Sequence, residues 1–190
     1  MDSKALLKFM AIAEKLKCNL RHSWTSTMRQ ESVAEHSWRL CVFSWIIRKD
    51  FPDYDMEKVL MMCLFHDLGE AVTGDIPTFL KTKEHEDDER KALRDILILL
   101  DEPDYRCLLE LFEEMHQQET KEAKLFKTLD KLEAVIQHNE APISTWIPLE
   151  YELNLTHGIE EAKCFHVLED LRNEMKNITL GLISENKVLK

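Results

Sequence analysis

Residues that break helices are scarce in this chain. Only four glycines and five prolines occur among its 190 residues, too few for the many tight turns of a β-sandwich or a β-barrel. Apolar residues instead recur at the three- and four-residue spacing of amphipathic helices. A chain of this length can bury a substantial core without disulfides. We therefore expect an all-α protein that folds as a single compact multi-helix bundle.

Capping signals predict six or seven helices. Ser32 and Glu35 form a capping box that begins a helix running to about residue 50. Asp55 caps the next helix, which we expect to continue unbroken until Gly74 and Pro77 end it. The remaining predicted helices cover about 3–18, 84–100, 104–118, 121–140 and 159–182. We expect residues 1–190 to form one domain, in which residues 141–190 are a C-terminal extension that packs on the rest.

Charge and glycine spacing exclude several classes of function. The chain carries 36 acidic and 25 basic residues, a net charge of −11, which argues against nucleic acid or an anionic membrane as a partner. The glycines do not fall in the spacing of a phosphate-binding loop.

Cysteine use and the first residues bear on the compartment. The five cysteines are widely spaced and include no CxxC pair, so neither a disulfide framework nor a thiolate zinc site is expected. Cys41, Cys63 and Cys107 lie in apolar stretches and are predicted to be core residues. Lys4 and Lys8 interrupt the first apolar run, which makes it a poor signal peptide. We expect a cytoplasmic protein.

The adjacent pair His66 and Asp67 is the most informative chemical feature. It lies in the apolar run LMMCLFHDL, where a charged carboxylate is costly unless it is paired. Imidazole and carboxylate together suit a divalent first-row metal ion. The alternative is a buried histidine that is satisfied by its neighbour or by a backbone carbonyl.

Two further carboxylates follow closely. Glu70 comes four residues after His66, so we expect it on the same face of the same helix, one turn further along. Asp75 follows the predicted helix end, where the chain can line a cleft. Both are candidates for acid–base chemistry.

Two more distant residues complete a set of four possible ligands. His36 lies one turn into the helix that Ser32 caps, and Asp130 lies in the apolar-periodic stretch AKLFKTLDKLEAVI. The alternative for Asp130 is an exposed carboxylate paired with Lys127 or Lys131.

The ordered pattern H…HD…D resembles the HD-domain superfamily of metal-dependent phosphohydrolases. The stretches ESVAEHS, FHDLGEAVTGDIPT and EAKLFKTLDKLEAVIQ are similar to its 5′-deoxynucleotidase subgroup, which cleaves deoxyribonucleoside 5′-monophosphates to deoxynucleoside and phosphate. The resemblance covers about residues 5–140. It implies a bound divalent cation, a small-molecule nucleotide substrate and a homodimer. We expect one cation, because no further histidines stand at the spacing of a second site, and ligand type leaves Mn, Co, Ni and Fe(II) open. The metal ligands that the resemblance implies are His36, His66, Asp67 and Asp130.

The resemblance also implies roles in catalysis and substrate binding. Glu70 would position or deprotonate the attacking water, and Asp75 would bind substrate and take part in acid–base chemistry. Arg21 would orient the phosphate, for which its planar fork is suited. The implied substrate-binding residues are Arg21, Trp24, His36, Asp67, Asp75, Ile76, Pro77 and Thr78.

Several alternatives stay open at this level. Relatives can carry an aromatic residue directly after the arginine, where this chain has His22, so Trp24 is either a base or sugar contact or a loop anchor. Another HD-domain hydrolase, acting on a triphosphate, a cyclic dinucleotide or a signalling nucleotide, is one rival function. A non-catalytic HD-like binding protein is another. The apolar face of the last helix, with Leu168, Leu171 and Met175, could form a dimer contact or complete the core.

Overall fold

The computed structural model describes residues 2–188, which form an all-α bundle with one small two-stranded sheet. Strand β1 (Leu20–Trp24) pairs with strand β2 (Gln30–Ser32) in antiparallel fashion. Within the described range no helix has the length and apolarity to cross a membrane. The α-helices are α1 (Ser3–Glu14), α2 (Val33–Ile47), α3 (Met56–Phe65), α4 (Glu70–Thr73), α5 (Lys83–Leu97), α6 (Glu102–Gln117), α7 (Lys121–Glu140), α8 (Pro148–Thr156), α9 (Ile159–Ala162) and α10 (His166–Val188).

The predicted all-α fold is confirmed, but the helix count and some boundaries were wrong. The described residues form ten α-helices rather than six or seven, because a turn splits one predicted helix and residues 141–188 form three helices rather than one. The first helix begins after Asp2 and passes into a 3₁₀ turn at Lys15–Lys17. Residues 19–30, which lie between the first two predicted helices, contribute to the hairpin. Its strands have only five and three residues, too few for an alternation of polar and apolar side chains from which a strand could be predicted.

The capping box at the start of α2 is present as predicted. The amide of Glu35 donates to Ser32 Oγ at 3.3 Å, and the amide of Ser32 donates to Glu35 Oε2 at 2.8 Å. This fixes the first turn of α2, where His36 is fully buried.

The expectation of one continuous helix from residue 56 to residue 73 was wrong. Helix α3 ends at Phe65, and a turn precedes α4. In this turn each amide donates to the carbonyl three residues earlier, as Glu70 N does to Asp67 O at 3.0 Å. Glu70 therefore begins a new short helix rather than standing one turn above His66. Gly69 allows the approach of α5, because a Cβ at that position would lie 2.8 Å from Glu89 Cγ.

Helix α7 is the central element of the bundle. It contacts α2, α3, α6, α9 and α10, and Leu125, Leu129 and Leu132 on its inner side are fully buried. Of the cysteines expected in the core, Cys63 is buried and Cys41 half-buried, but Cys107 is exposed. All five cysteines carry free thiols.

The C-terminal helices pack on this core. Leu168 and Met175 of α10 are buried in it, so the apolar face of the last helix completes the core. Arg172, only 2% exposed, donates from Nε to the carbonyl of His157 and from Nη2 to the carbonyl of Asn154, both at 2.8 Å. Because carbonyls at a helix end lack partners within the helix, Arg172 holds the end of α8 in place.

Candidate functional site

Four of the predicted residues meet at one point of the bundle. His36 comes from α2, Asp130 from α7, and His66 and Asp67 from the turn between α3 and α4. Asp130 Oδ1 lies 3.3 Å from His36 Nε2 and 3.8 Å from His66 Nε2, and Asp67 Oδ2 lies 3.0 Å from His66 Nε2. We call these four residues the HD cluster.

Both imidazole rings turn the same nitrogen toward this point. His36 Nδ1 contacts the buried carboxylate of Glu133, and His66 Nδ1 lies 3.0 Å from the carbonyl oxygen of Cys63. Since a carbonyl only accepts, His66 Nδ1 carries a proton, so Nε2 is the nitrogen with the lone pair in the neutral ring that a metal ion requires. Neither Nε2 atom has a hydrogen-bond partner among the described residues.

These features fit a divalent metal ion. One ligand atom each from His36, His66 and Asp67 lies within 4.8 Å of the other two, and imidazole nitrogen with carboxylate oxygen is a donor set that first-row ions accept. A partner that holds the far nitrogen of a ligating histidine is the usual support of such a site.

Positive charge surrounds the carboxylates of the HD cluster. Arg21 Nη1 lies 3.5 Å from Asp67 Oδ2, and its Nε lies 3.3 Å from Glu31 Oε2. Lys127 Nζ donates to Asp130 Oδ2 at 2.8 Å. Burial opposes ionisation of Asp130, but Lys127 and the histidines outweigh it and hold the pKa of this carboxyl well below its usual value.

Glu70 and Asp75 stand beside the HD cluster. Glu70 is 4% exposed, its Oε2 makes no hydrogen bond to the described residues, and Asn19 Nδ2 holds its backbone carbonyl. Burial, then the charges of Asp67, Asp75 and Glu89, raise the pKa of Glu70 to about 10. Burial likewise raises the pKa of Asp75.

A cavity of about 670 Å³ opens from the HD cluster. His36 is fully buried behind its wall. Trp24 does not line the cavity, and its carbonyl accepts from Gln137 Nε2 at 2.7 Å; the neighbouring His22 lines it instead. The other predicted site residues all line it: Arg21, His66, Asp67, Glu70, Asp75, Ile76, Pro77, Thr78 and Asp130.

The wall of the cavity away from the HD cluster contains residues that sequence reasoning missed. Glu150 Oε1 lies 3.1 Å from His22 Nε2 and 3.4 Å from His138 Nε2. Burial raises the pKa of Glu150, while burial, followed by the charges of His22 and Arg21, lowers the pKa of His138 to about 4. Glu150 is recognisable in the sequence only as a capping residue of α8, whose amide at Ile147 donates to Oε2 at 2.8 Å.

A helical bundle that brings two histidines and two aspartates from three segments to one point, in the order H…HD…D, defines the HD-domain class of proteins. The model of the HD-domain family matches residues 13–172. The chain belongs to this family.

Named relatives and solved structures agree with this assignment. The 5′-deoxynucleotidase HDDC2 of Homo sapiens is 33% identical over 143 residues, which cover 73% of this chain and 69% of the human protein. A Magnetospirillum magnetotacticum protein described as a predicted metal-dependent phosphohydrolase has the same fold, with a TM-score of 0.79, 24% identity and coverage of 94% of this chain and 93% of its own. A conserved hypothetical protein from Pyrococcus furiosus gives a TM-score of 0.68 at 30% identity, covering 90% and 98%. The resemblance to the HD-domain family and its 5′-deoxynucleotidase-like members is confirmed.

Proposed function

We propose that this chain is a metal-dependent phosphomonoesterase that hydrolyses (deoxy)ribonucleoside 5′-monophosphates to nucleoside and phosphate. The observation that carries the proposal is the pair of histidine Nε2 atoms, buried and without hydrogen-bond partners among the described residues. They face Asp67 and Asp130 beside a cavity with room for a nucleotide. The 5′-deoxynucleotidase names of relatives such as the human protein support the same activity.

The HD cluster would hold one divalent transition-metal cation, namely Mn, Co, Ni or Fe(II). When bound, such a cation supplies Lewis-acid stabilisation of phosphate charge and lowers the pKa of water. The ligand types do not separate these ions from one another.

The remaining residues act directly on substrate and water. The ionised form of Glu70, which a cation bound at the HD cluster would favour, would align the attacking water and accept its proton. Arg21, held in place by Glu31, would pair with the phosphate oxygens. Asp75 would supply a proton to the leaving 5′-oxygen, and the loop 76–78, which lines the cavity, would hold the sugar.

The cavity wall favours a monophosphate over a more highly charged substrate. Several basic side chains lie there, but most of them are already paired with a carboxylate, as Lys81 is with Glu89 at 2.5 Å and Lys131 is with Glu161 at 2.5 Å. Arg90 likewise contacts Asp87. A triphosphate needs cations that are free to neutralise it, so paired cations make it the weaker candidate.

Phosphate release from a substrate panel tests the activity. The metal-loaded protein should hydrolyse 2′-deoxynucleoside and ribonucleoside 5′-monophosphates, with little release from 3′-monophosphates, triphosphates or cyclic dinucleotides. Removal of the metal with a chelator should abolish the release, and added metal should restore it. Hydrolysis restricted to triphosphates or cyclic dinucleotides would contradict the proposal.

A substitution at Glu70 tests its assigned role. Glu70→Gln keeps the size of the side chain but removes the base, so kcat should fall by about two to three orders of magnitude. Metal content should stay that of the unsubstituted protein, since Glu70 is not a proposed ligand. Loss of metal together with activity would assign Glu70 to the metal site instead.

We also propose a homodimer, a cytoplasmic location and a single domain over residues 1–190. Support for the dimer comes from α2, where Trp38, Trp45 and Ile46 are 67%, 57% and 61% exposed, an unusual run of large apolar side chains for a free surface. The free thiols agree with a reducing compartment. Light scattering after size-exclusion chromatography tests the dimer, with a Trp38→Lys, Trp45→Lys double variant expected to be monomeric.

A further inference from the structure

Helix α8 carries two buried polar side chains that lie in the cavity wall and whose hydrogen bonding is incomplete. Glu150 is 1% and Asn154 is 2% exposed, and they lie four residues apart, so they share one face of the helix. Both residues line the cavity, and neither Glu150 Oε1 nor Asn154 Nδ2 has a hydrogen bond within the described structure. Because buried polar atoms are normally paired, these atoms call for a ligand.

Two histidines extend this polar surface. His22 Nε2 and His138 Nε2 lie 3.1 and 3.4 Å from Glu150 Oε1, although the geometry of the His22 contact is not that of a hydrogen bond. Phe79 adds an apolar face, with its ring edge-on to His22 at a centroid distance of 5.8 Å. A polar edge beside an aromatic face suits a planar heterocycle.

The surface lies at the right distance from the HD cluster for the base of a nucleotide. Asp130, Ala134 and His138 all line the cavity along one side of α7. Eight residues separate Asp130 from His138, which corresponds to about 12 Å along the helix. An extended nucleoside 5′-monophosphate spans a similar length between its phosphate and the far edge of its base.

Hydrogen bonds hold the Glu150 carboxylate and the backbone of Asn154 in place. Glu150 Oε2 accepts from the amide of Ile147 at 2.8 Å, which leaves Oε1 beside His22 and His138. The carbonyl of Asn154 accepts from Arg172. A side chain that is held before binding, as that of Glu150 is, loses less conformational entropy when a ligand arrives.

We propose that Glu150 and Asn154 of α8, together with His22 and His138, form the nucleobase subsite of the cavity. This inference rests on the proposed function, since it assigns the distal end of the same substrate. Glu150 Oε1 accepts from a base N–H group and Asn154 Nδ2 donates to a neighbouring base acceptor. A base edge has such a donor and acceptor side by side, whereas a sugar phosphate lacks the planar edge. Base preference is thereby set by residues beyond the H…HD…D motif.

Kinetics on substrates with and without a base test the subsite. Glu150→Gln retains the shape of the side chain and can still cap α8, and Asn154→Leu is a second variant of similar size. Each should lower kcat/KM for 2′-deoxynucleoside 5′-monophosphates by about tenfold or more. Each should leave kcat/KM for 2-deoxyribose 5-phosphate within about twofold. Glu152→Gln, at an exposed position of the same helix, should behave as the unsubstituted protein.

Equal losses on both substrates would show a structural effect and overturn the subsite, as would unchanged kinetics on both. Binding of 2′-deoxynucleosides, measured by calorimetry on the metal-loaded protein, separates the subsite from the activity because it needs no hydrolysis. Glu150→Gln should bind them about tenfold more weakly than the unsubstituted protein.

Two results distinguish a failure of the proposed activity from a failure of the proposed base subsite. If the unsubstituted protein releases no phosphate from any nucleotide but binds nucleosides in a Glu150-dependent way, the proposed activity falls and the subsite stands. If it releases phosphate normally and both proteins bind nucleosides equally, or neither binds them, the subsite falls and the activity stands.

Discussion

The two ends of the cavity are built on different physical principles. At the HD cluster, ionised groups oppose one another at short range, as in the 2.8 Å contact of Lys127 with Asp130. The opposite end, which we call the distal end, is formed by Glu150, Asn154, His22 and His138. Its groups are polar but closer to neutral, since burial raises the pKa of Glu150 and lowers that of His138 to about 4. The first arrangement suits a cation and a phosphate, and the second suits an uncharged ring.

The two ends also differ in which part of the chain supplies them. The HD cluster lies wholly within residues 36–130, whereas the distal wall depends on α8 and on Arg172 of α10. Substitutions at one end should therefore leave the other intact. The following variants test that separation, from the largest expected effect to the smallest.

His66→Ala should have the largest effect. It removes one of the two free Nε2 atoms, so we expect loss of bound metal and a fall in phosphate release of about three orders of magnitude or more. Metal analysis and a phosphate assay on the same sample measure both. His166→Ala, at an 87% exposed side chain, is the matched control, and a His66→Ala protein that keeps its metal and activity would refute the assignment.

Glu133→Gln should weaken metal binding at the HD cluster without abolishing it. Glu133 is 1% exposed and contacts His36 Nδ1, so its loss should lower metal affinity by about 10- to 100-fold. Titration with a divalent metal measures the change, and excess metal should restore much of the activity. Glu140→Gln, on the same helix but 53% exposed, should titrate as the unsubstituted protein does; equal affinity in all three proteins would remove Glu133 from the site.

Arg172→Met should act on the distal end. It leaves the carbonyls of Asn154 and His157 without their donor, so we expect the free energy of unfolding to fall by about 2 kcal/mol. Nucleoside binding should weaken more than metal binding. Urea denaturation gives the stability, with the exposed Arg106→Met as control. A parallel loss of metal affinity would show that the two ends are coupled.

Glu35→Gln should have the smallest effect. The hydrogen bonds from Arg29 come first among the causes that lower the pKa of Glu35 to about 2, below its ordinary value, so the pair stabilises the folded state above about pH 4.5. That contribution disappears as the pH falls toward 2. Because the pair is exposed to solvent, we expect about 0.5 kcal/mol at pH 7, while glutamine preserves the capping box.

Urea denaturation at pH 7 and at pH 3 measures this difference. The gap in unfolding free energy between the two proteins should be narrower at the lower pH. A gap that stays constant with pH would show that the Arg29 pair contributes nothing to stability.

Local sequence patterns predicted most of the HD cluster. The Ser32 capping box fixed the position of His36, and the HD dipeptide within an apolar run indicated a paired, buried site. The break after Phe65 was not predicted, because residues 66–73 contain no proline. Gly69 is the poorest helix former among them, and in the structure its missing Cβ leaves room for Glu89.

The distal end could not be predicted in this way. His22, His138 and Glu150 are far apart in sequence and belong to no short motif, so only the packing of α8 and β1 against α7 brings them together. The Trp24 prediction shows the same limit, because His22, two residues earlier in β1, lines the cavity instead.

The hydrogen bonds of Arg172 also set an order of assembly. Synthesis proceeds from the N-terminus, and all four residues of the HD cluster precede the segment that carries Arg172 by about forty residues. A nascent chain can therefore complete its charged cluster while α8, which supplies Glu150 and Asn154 to the far wall of the cavity, is still absent. Selective recognition of a nucleotide would then begin only when α10 has docked. A growing chain would therefore form its metal-binding cluster before it could distinguish one base from another.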